Sequence, residues 1–286
     1  MKRLLLTALC FAPLLAPAGS VTILERATVF THTGTNPRDA ANATGFNHAP
    51  SVTVLPDGRI LTAWFSGPFE GSARQKILGA ASSDHGRTWR APSTLHDFPG
   101  RADFDPAFIV DGSRTLLLFS SGLRRTYPFE TGQQGPVGDE HHRIYLRISP
   151  DSGRTWTAPR EIGGEAAHTP RTNGIRLATG ELLVPIHRLG TKAGGVLRST
   201  DGGKTWTRHG FVANPAGEGG EPTIAELGSG RVLMLLRTRD GELWRAFSED
   251  KGATWSTPEK TGLPAGATSH NVIRTRRGKL VLTHNP

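Results

Sequence analysis

Short apolar runs, each closed by a glycine turn, recur along the whole chain. The first set reads SVTVL, PDG, RILTAWF and then KILGAA. The second reads PAFIV, DG, SRTLLLFS and RIYLRI; the third NGIRL, ATG, ELLVPIH and GGVLR; the fourth PTIAEL, GSG, RVLMLLR and ELWRAF. A fifth opens with HNVIRT, RRG and KLVLTH and stops at Pro286. Alternation within the runs, their length and their Gly boundaries predict β-strands. No segment carries a helical apolar stripe of useful length. The chain is therefore read as all-β.

A second repeat rides on the first. SSDHGRTW (Ser82 to Trp89), SPDSGRTW (Ser149 to Trp156), STDGGKTW (Ser199 to Trp206) and SEDKGATW (Ser248 to Trp255) share S-x-D-x-G-x-T-W. The aspartates Asp84, Asp151, Asp201 and Asp250 are separated by 67, 50 and 49 residues. That period is too long for a coiled coil and fits one four-stranded propeller blade. Each fixed position has a local reason. An Asp carboxylate accepts from backbone N–H groups two residues on, Gly allows φ > 0, Ser and Thr hydroxyls satisfy turn groups, and Trp returns apolar area to the blade. A calcium loop would need a longer carboxylate series and a terminal Glu, which are missing here.

The first residues read as a secretory signal. Lys2 and Arg3 are followed by an apolar stretch from Leu4 to Ala16 and an Ala16-Pro17-Ala18 cleavage pattern. The run is too short and too Pro-broken to span a bilayer. The expected product is residues 19–286, secreted or periplasmic, with the signal at 1–18. The one cysteine, Cys10, lies in that signal, which excludes disulfides, thiol catalysis and Cys-based metal sites from the mature chain. The formal charge of +9 falls to +7 without Lys2 and Arg3. The basic residues are scattered. The densest run, Arg274 to Lys279, falls in a predicted hairpin turn, and no aromatic residues interleave with it, so nucleic acid is not expected as a partner. Asp139, Glu140, His141 and His142 sit in the long Gly- and Pro-rich insertion of the second blade. They are read as an exposed loop rather than a metal site. No cofactor motif is present; in particular, no Gly-rich phosphate cradle leads from a strand into a helix.

In a propeller the first strand of each blade lines the central channel, and its start shares a rim with the end of the second strand. Strand-one starts carry His48, Asp105, Asn173, Glu221, His270 and Asn271. Strand-two ends carry Glu70, Arg188, Arg237 and Asn285. Polar residues from distant segments thus converge at one mouth of the hub, Glu with Arg among them.

These features resemble the sialidase (neuraminidase) superfamily, six-bladed propellers with Asp boxes. HAPSVTVLPDGRILTAWFSGPFEG in blade one and GEPTIAELGSGRVLMLLRTRDG in blade four are similar to a bacterial group of sialidase-like proteins. The resemblance implies an exo-alpha-sialidase type of glycoside hydrolase acting on terminal acidic sugars. It implies that Glu221 assists a Tyr nucleophile and that Arg237 is the second arginine of a carboxylate-gripping triad. An Arg fork suits that grip because it offers bidentate charged hydrogen bonds. His48, in His48-Ala49-Pro50, stands where the family places its first arginine, in an R-I-P motif. Glu70 lies in the loop of the family's acid/base Asp, with Asp103 and Asp105 as further candidates. His48, Asp105, Arg188, Asn173 and Asn271 are expected substrate-binding residues; His168, Arg171 and His187 lie beside them. The third arginine and the Tyr would fall beyond Pro286. The chain is accordingly expected to be a six-bladed propeller truncated to about five blades, inactive as it stands, with residues from Val21 to Phe30 supplying an outer strand of a final blade. Tyr127 and Tyr145 do not match the nucleophile.

Two other readings stay open. Replacement of the first arginine by His48 suits another glycosidase or a uronate lyase, in which a His or Tyr removes a proton α to a carboxylate. A non-catalytic glycan-binding propeller keeps the fold and drops the chemistry.

Overall fold

The structure, a computed structural model, describes residues 25–32, 44–122, 142–164, 167–189, 193–213 and 219–286. Among these residues there is no α-helix. Blade one is β1 (Phe46–Val54), β2 (Ile60–Gly67), β3 (Lys76–Ser82) and β4 (Ser93–His96). Blade two is β5 (Ala102–Asp111), β6 (Arg114–Gly122), β7 (Arg143–Ser149) and β8 (Arg160–Ile162). Blade three is β9 (His168–Pro170), β10 (Ile175–Arg176), β11 (Leu182–Arg188), β12 (Ala193–Ser199) and β13 (Thr207–Ala213). Blade four is β14 (Gly219–Glu226), β15 (Val232–Thr238), β16 (Glu242–Ser248) and β17 (Glu259–Pro264). A hairpin of β18 (Asn271–Arg274) and β19 (Leu280–Thr283) begins a fifth. Pairing is antiparallel and sequential, except that in blade three β9 and β10 both pair β11. This is the expected propeller, with four blades and the opening hairpin of another.

The apolar faces of neighbouring sheets meet in four successive clusters. Leu55, Leu61, Phe65, Phe104, Leu117 and Phe119 fill the space between blades one and two. Leu116, Leu118, Leu182, Val184, Ile186 and Trp206 fill the next, and Leu183, Val196, Met234 and Leu236 the one after. Leu235, Leu243 and Val272 join blade four to the fifth hairpin. The second strands are buried on both faces, which explains their near-continuous apolar sequence.

The Asp boxes clasp one blade to the previous one. Each Ser hydroxyl donates to the Asp two residues on and accepts from the Gly N–H, as Ser149 does with Asp151 at 2.8 Å and Gly153 at 2.7 Å. The Asp oxygens accept from the Thr four residues on, through both N–H and hydroxyl. The Asp partner is therefore the fourth residue along, rather than the second that turn chemistry predicts. The reason is a pair of consecutive left-handed residues, Ser152 (φ 56) and Gly153 (φ 78) in this box, which fold the Thr back over the carboxylate. The turn carbonyls then face the preceding blade. Arg59 donates to the Ser152 carbonyl at 2.6 Å, Arg114 to that of Gly202 at 3.1 Å and Arg198 to that of Lys251 at 3.1 Å. Part of the scattered basic charge is thus spent on joining blades.

Residues 25–32 form no strand. Instead Val29 and Phe30 pack against Trp64, Leu78 and Ala80, on the face of blade one turned away from blade two, with the Phe30 ring 5.9 Å from Trp64. The outer strand expected from Val21 to Phe30 is not formed by its described part; Val21 to Ile23 and Leu24 lie outside the described residues.

These contacts set an expected pH profile of stability. Hydrogen bonds from the Thr155 hydroxyl and N–H hold the Asp151 carboxyl down to about 2, and Asp84 and Asp201 are lowered in the same way by Thr88 and Thr205. Carboxyls with lowered pKa contribute stability above their unfolded value and lose it as pH falls through the folded one. Buried His96, His187 and His270, each lowered to about 4 by burial, lose stability as pH falls from about 6.5 to 4. Asp103 and Asp105, raised by burial to about 7 and about 6, act oppositely over that range. The three histidines outweigh the two aspartates, so urea midpoints should fall gently between pH 6.5 and 4 and steeply between pH 4 and 2. A steady decline over the whole range would contradict this balance.

Candidate functional site

Proline shapes the hub. Ala49-Pro50, Asp105-Pro106 and Glu221-Pro222 stand near the starts of three inner strands. Proline lacks the N–H that the ladder needs, so such positions fall at bulges. The register slips between His48 and Ser51, between Phe104 and Ala107, and between Gly219 and Pro222. Ala49 (φ 52) and Asp105 (φ 49) occupy the left-handed region, as does Gly220 (φ 122). In blade three the inner strand, expected to run continuously through NGIRL, is broken between β9 and β10, and the break carries Arg171 and Asn173. Each irregularity re-aims a polar residue toward the channel mouth.

There these residues line an open cavity of about 660 Å³ that includes His48, Arg171, Glu221, Arg237, Asn271 and Asn285. Glu221 is its centre. Its Oε1 accepts from Arg237 Nη1 at 2.5 Å, and its Oε2 accepts from Arg171 Nε at 3.2 Å and Ser269 Oγ at 2.9 Å. Arg171 also donates to Ser269 Oγ, and Arg237 Nη2 donates to the Ala267 carbonyl at 2.5 Å. Burial alone would raise the Glu221 carboxyl, but Arg171, then His187 and Arg237, outweigh it and leave it below its ordinary value. Glu221 is thus an anion held between two guanidinium groups.

A smaller pocket of about 130 Å³ adjoins, sharing His48, Arg171 and Glu221 and adding Glu70, Asp105, Thr169 and His187. Asp105 Oδ2 accepts from Thr169 Oγ1 at 3.0 Å, and Ser120 Oγ lies 2.7 Å from that hydroxyl. Burial, opposed by Arg171 and aided by Glu221, pushes the Asp105 carboxyl up to about 6. His48 is exposed at the mouth, and partial burial of its ring, followed by the Arg171 charge, lowers its pKa. At neutral pH it is an uncharged imidazole.

Glu221, Arg237, His48, Asp105, Glu70, Asn173 and Asn271 therefore all reach the hub. Asn173 is occupied there: its Oδ1 accepts from the Phe108 N–H and its Nδ2 donates to the Val52 carbonyl, both at 2.8 Å, so it straps blades one and two together. Asn271 accepts from the Thr223 hydroxyl at 3.1 Å. Arg188 does not join them. It is exposed and lines neither pocket, because side chains alternate along β11 and its neighbour His187 takes the inward position. Arg171, which the sequence places only beside the expected substrate-binding residues, lines both pockets. Asp103 is fully buried away from both, accepting from the Phe98 N–H at 3.0 Å. Tyr145 packs against Phe98 and Phe119. Tyr127 and Asp139 to His141 lie outside the described residues, and His142 is buried beside Phe104. Among the described residues no group of three His, Cys, Asp or Glu side chains is placed to hold a metal, and no helix is long and apolar enough to cross a membrane.

Blades, boxes and a hub with an Arg-flanked Glu define an Asp-box propeller of the sialidase superfamily. The chain belongs to the BNR repeat-like domain family, whose model matches residues 58–286. A sialidase of Bacteroides fragilis is 25% identical over 227 residues, covering 70% of this chain and 41% of that protein. An exo-alpha-sialidase of Aspergillus fumigatus is 31% identical over 190 residues, covering 59% of this chain and 44% of that one. The chain thus spans less than half the length of these relatives. In fold, the Hadza microbial sialidase Hz136 superposes with a TM-score of 0.70 at 19% identity, over 85% of this chain and 53% of that one.

Proposed function

We propose that the protein is an exported glycoside hydrolase of exo-alpha-sialidase type that acts on the terminal acidic sugar of a glycan. The observation that carries this reading is Glu221 held between Arg171 and Arg237 on the wall of an open hub cavity. A sugar carboxylate entering that cavity meets two guanidinium groups from different blades, and their planar forks suit a carboxylate better than ammonium groups would. Arg171 offers the second cation that the sequence lacks at His48. Glu221, kept ionised, is suited to polarise a neighbouring hydroxyl nucleophile. The relatives named for sialidase activity support the substrate class, and the signal-like start supports export.

The test is a hydrolysis screen with the complete protein encoded by this reading frame. Sialyl glycosides should be cleaved, and rhamnosyl and uronyl glycosides should not. Cleavage of a uronate-containing substrate with formation of an unsaturated product would instead favour the lyase reading. A further expected result is that Arg171→Met raises KM for the acidic glycoside at least about tenfold with a smaller change in kcat, as loss of ground-state binding requires. An unchanged KM would remove Arg171 from the carboxylate site.

A further inference from the structure

We infer that Asp105, rather than Glu70, donates the proton to the departing sugar oxygen. The inference rests on the glycosidase reading above and assigns a role that reading leaves open.

The geometry separates the two carboxylates. Glu70 sits in the turn after β2 with an exposed side chain, and it makes no hydrogen bond among the described residues. Among the described residues no hydrogen bond fixes its direction. Asp105 is held at three points. Its backbone is pinned at φ 49 by the bulge ahead of Pro106. Its Oδ2 is fixed by Thr169, whose hydroxyl is in turn met by Ser120. Its side chain is only 15% exposed. A non-glycine residue in the left-handed region costs about 1–3 kcal/mol, and such strain persists where the surroundings over-determine it, which is typical of functional sites. The other oxygen, Oδ1, lies 3.9 Å from Arg171 Nη1, beyond hydrogen-bond reach, and Asp105 lines the same pocket as Arg171 and Glu221. One guanidinium therefore stands between the two acids, on Glu221 through Nε and toward Asp105 through Nη1.

The groups facing Asp105 also keep it protonated. Glu70 from blade one and Glu221 from blade four are like charges, His187 from blade three is neutral above about pH 4, and Arg171 is the one opposing cation among them. His48 is lowered as well and adds no charge near neutrality. With burial, the balance leaves the carboxyl raised to about 6, in the range that suits a proton donor working in mild acid.

The step balances. The electron pair of the bond between the anomeric carbon and the aglycone oxygen moves to that oxygen, which takes the Asp105 proton and leaves as an alcohol. Water finally adds to the anomeric carbon, and its surplus proton restores the Asp105 carboxyl.

The experiment compares Asp105→Asn with wild type in the complete protein. Asn keeps the shape and tolerates left-handed φ, so folding should survive. Two glycosides of the same acidic sugar are used, one with a nitrophenol leaving group and one with a simple alkanol. The variant should lose about 10²–10⁴-fold in kcat/KM on the alkyl glycoside and less than about tenfold in kcat/KM on the nitrophenyl one, whose departure needs no proton. The alkaline limb of the wild-type pH profile, near pH 6, should vanish in the variant. Equal losses on both substrates, a retained alkaline limb, or a selective alkyl loss in Glu70→Gln but not in Asp105→Asn would each overturn the assignment. Failure of wild type on both glycosides would instead overturn the hydrolase reading, and this inference with it.

Discussion

Glu221→Gln should lower kcat of the complete protein on acidic glycosides by about 10²-fold or more, the usual scale for a lost acid–base partner. The substitution keeps the side chain's size and some of its hydrogen bonds, so the loss reports charge. It should also cost stability. Arg171 and Arg237 are 12% and 25% exposed, and without the carboxylate they face each other's field, with Ser269 and the Ala267 carbonyl among their neutral partners. Removing one partner of such a charged hydrogen-bonded group costs about 1–3 kcal/mol when water still reaches part of it. Because the Glu221 carboxyl is lowered in the folded state, this contribution exists above its unfolded pKa and fades as pH falls below it. The difference between variant and wild type in urea midpoint should thus be clear at pH 7 and should shrink as the pH is lowered through the acid range. Unchanged turnover would remove Glu221 from the mechanism; an equal stability difference throughout that range would mean the effect is packing rather than charge.

Phe65→Ala should be the most damaging of the core truncations next to the site. Phe65 is 1% exposed and lies in the cluster between blades one and two. Its ring meets Phe104 at 5.3 Å, His48 at 5.4 Å and Phe46 at 6.1 Å. Deleting a buried Phe leaves a cavity and costs about 3–5 kcal/mol. The gap opens under the bulges that aim His48 and Asp105, so activity should fall at temperatures where the variant is still folded. Val52→Ala, at a side chain 57% exposed, should change stability by no more than about 0.5 kcal/mol. Comparable urea midpoints for the two variants would contradict the proposed packing between blades.

Much of this architecture is legible in the chain because its causes are local. Strand two of each blade is apolar throughout since both faces are covered, and the box residues are fixed by turn chemistry, so both repeat visibly. The Glu221–Arg237 contact is readable for the same reason: both belong to adjacent strands of one blade. What escaped are features set between blades. Arg171 reaches Glu221 from blade three, and its place depends on a break in the inner strand that the apolar pattern of Ile175 and Leu177 conceals. Asn173 looks like a free polar residue until two backbones from other blades are found at its amide. His187 and Arg188 both stand at the end of a second strand, and alternation along β11 decides which one turns inward. A usable signal lay in the prolines. Pro50, Pro106 and Pro222 recur near inner-strand starts, where a ladder cannot accept them, and they mark the bulges that carry His48, Asp105 and Glu221.

The proposed function depends on Arg171 and Arg237, cations from separate blades that flank Glu221, receiving a negatively charged sugar. Calorimetric titration of the complete protein with free N-acetylneuraminic acid and with its neutral methyl ester addresses that most directly. The acid should bind at least about tenfold more tightly, a gap of about 1.4 kcal/mol. The preference should disappear in a protein carrying both Arg171→Met and Arg237→Met. Equal affinities for acid and ester in the wild type, or an undiminished preference in the doubly substituted protein, would contradict it.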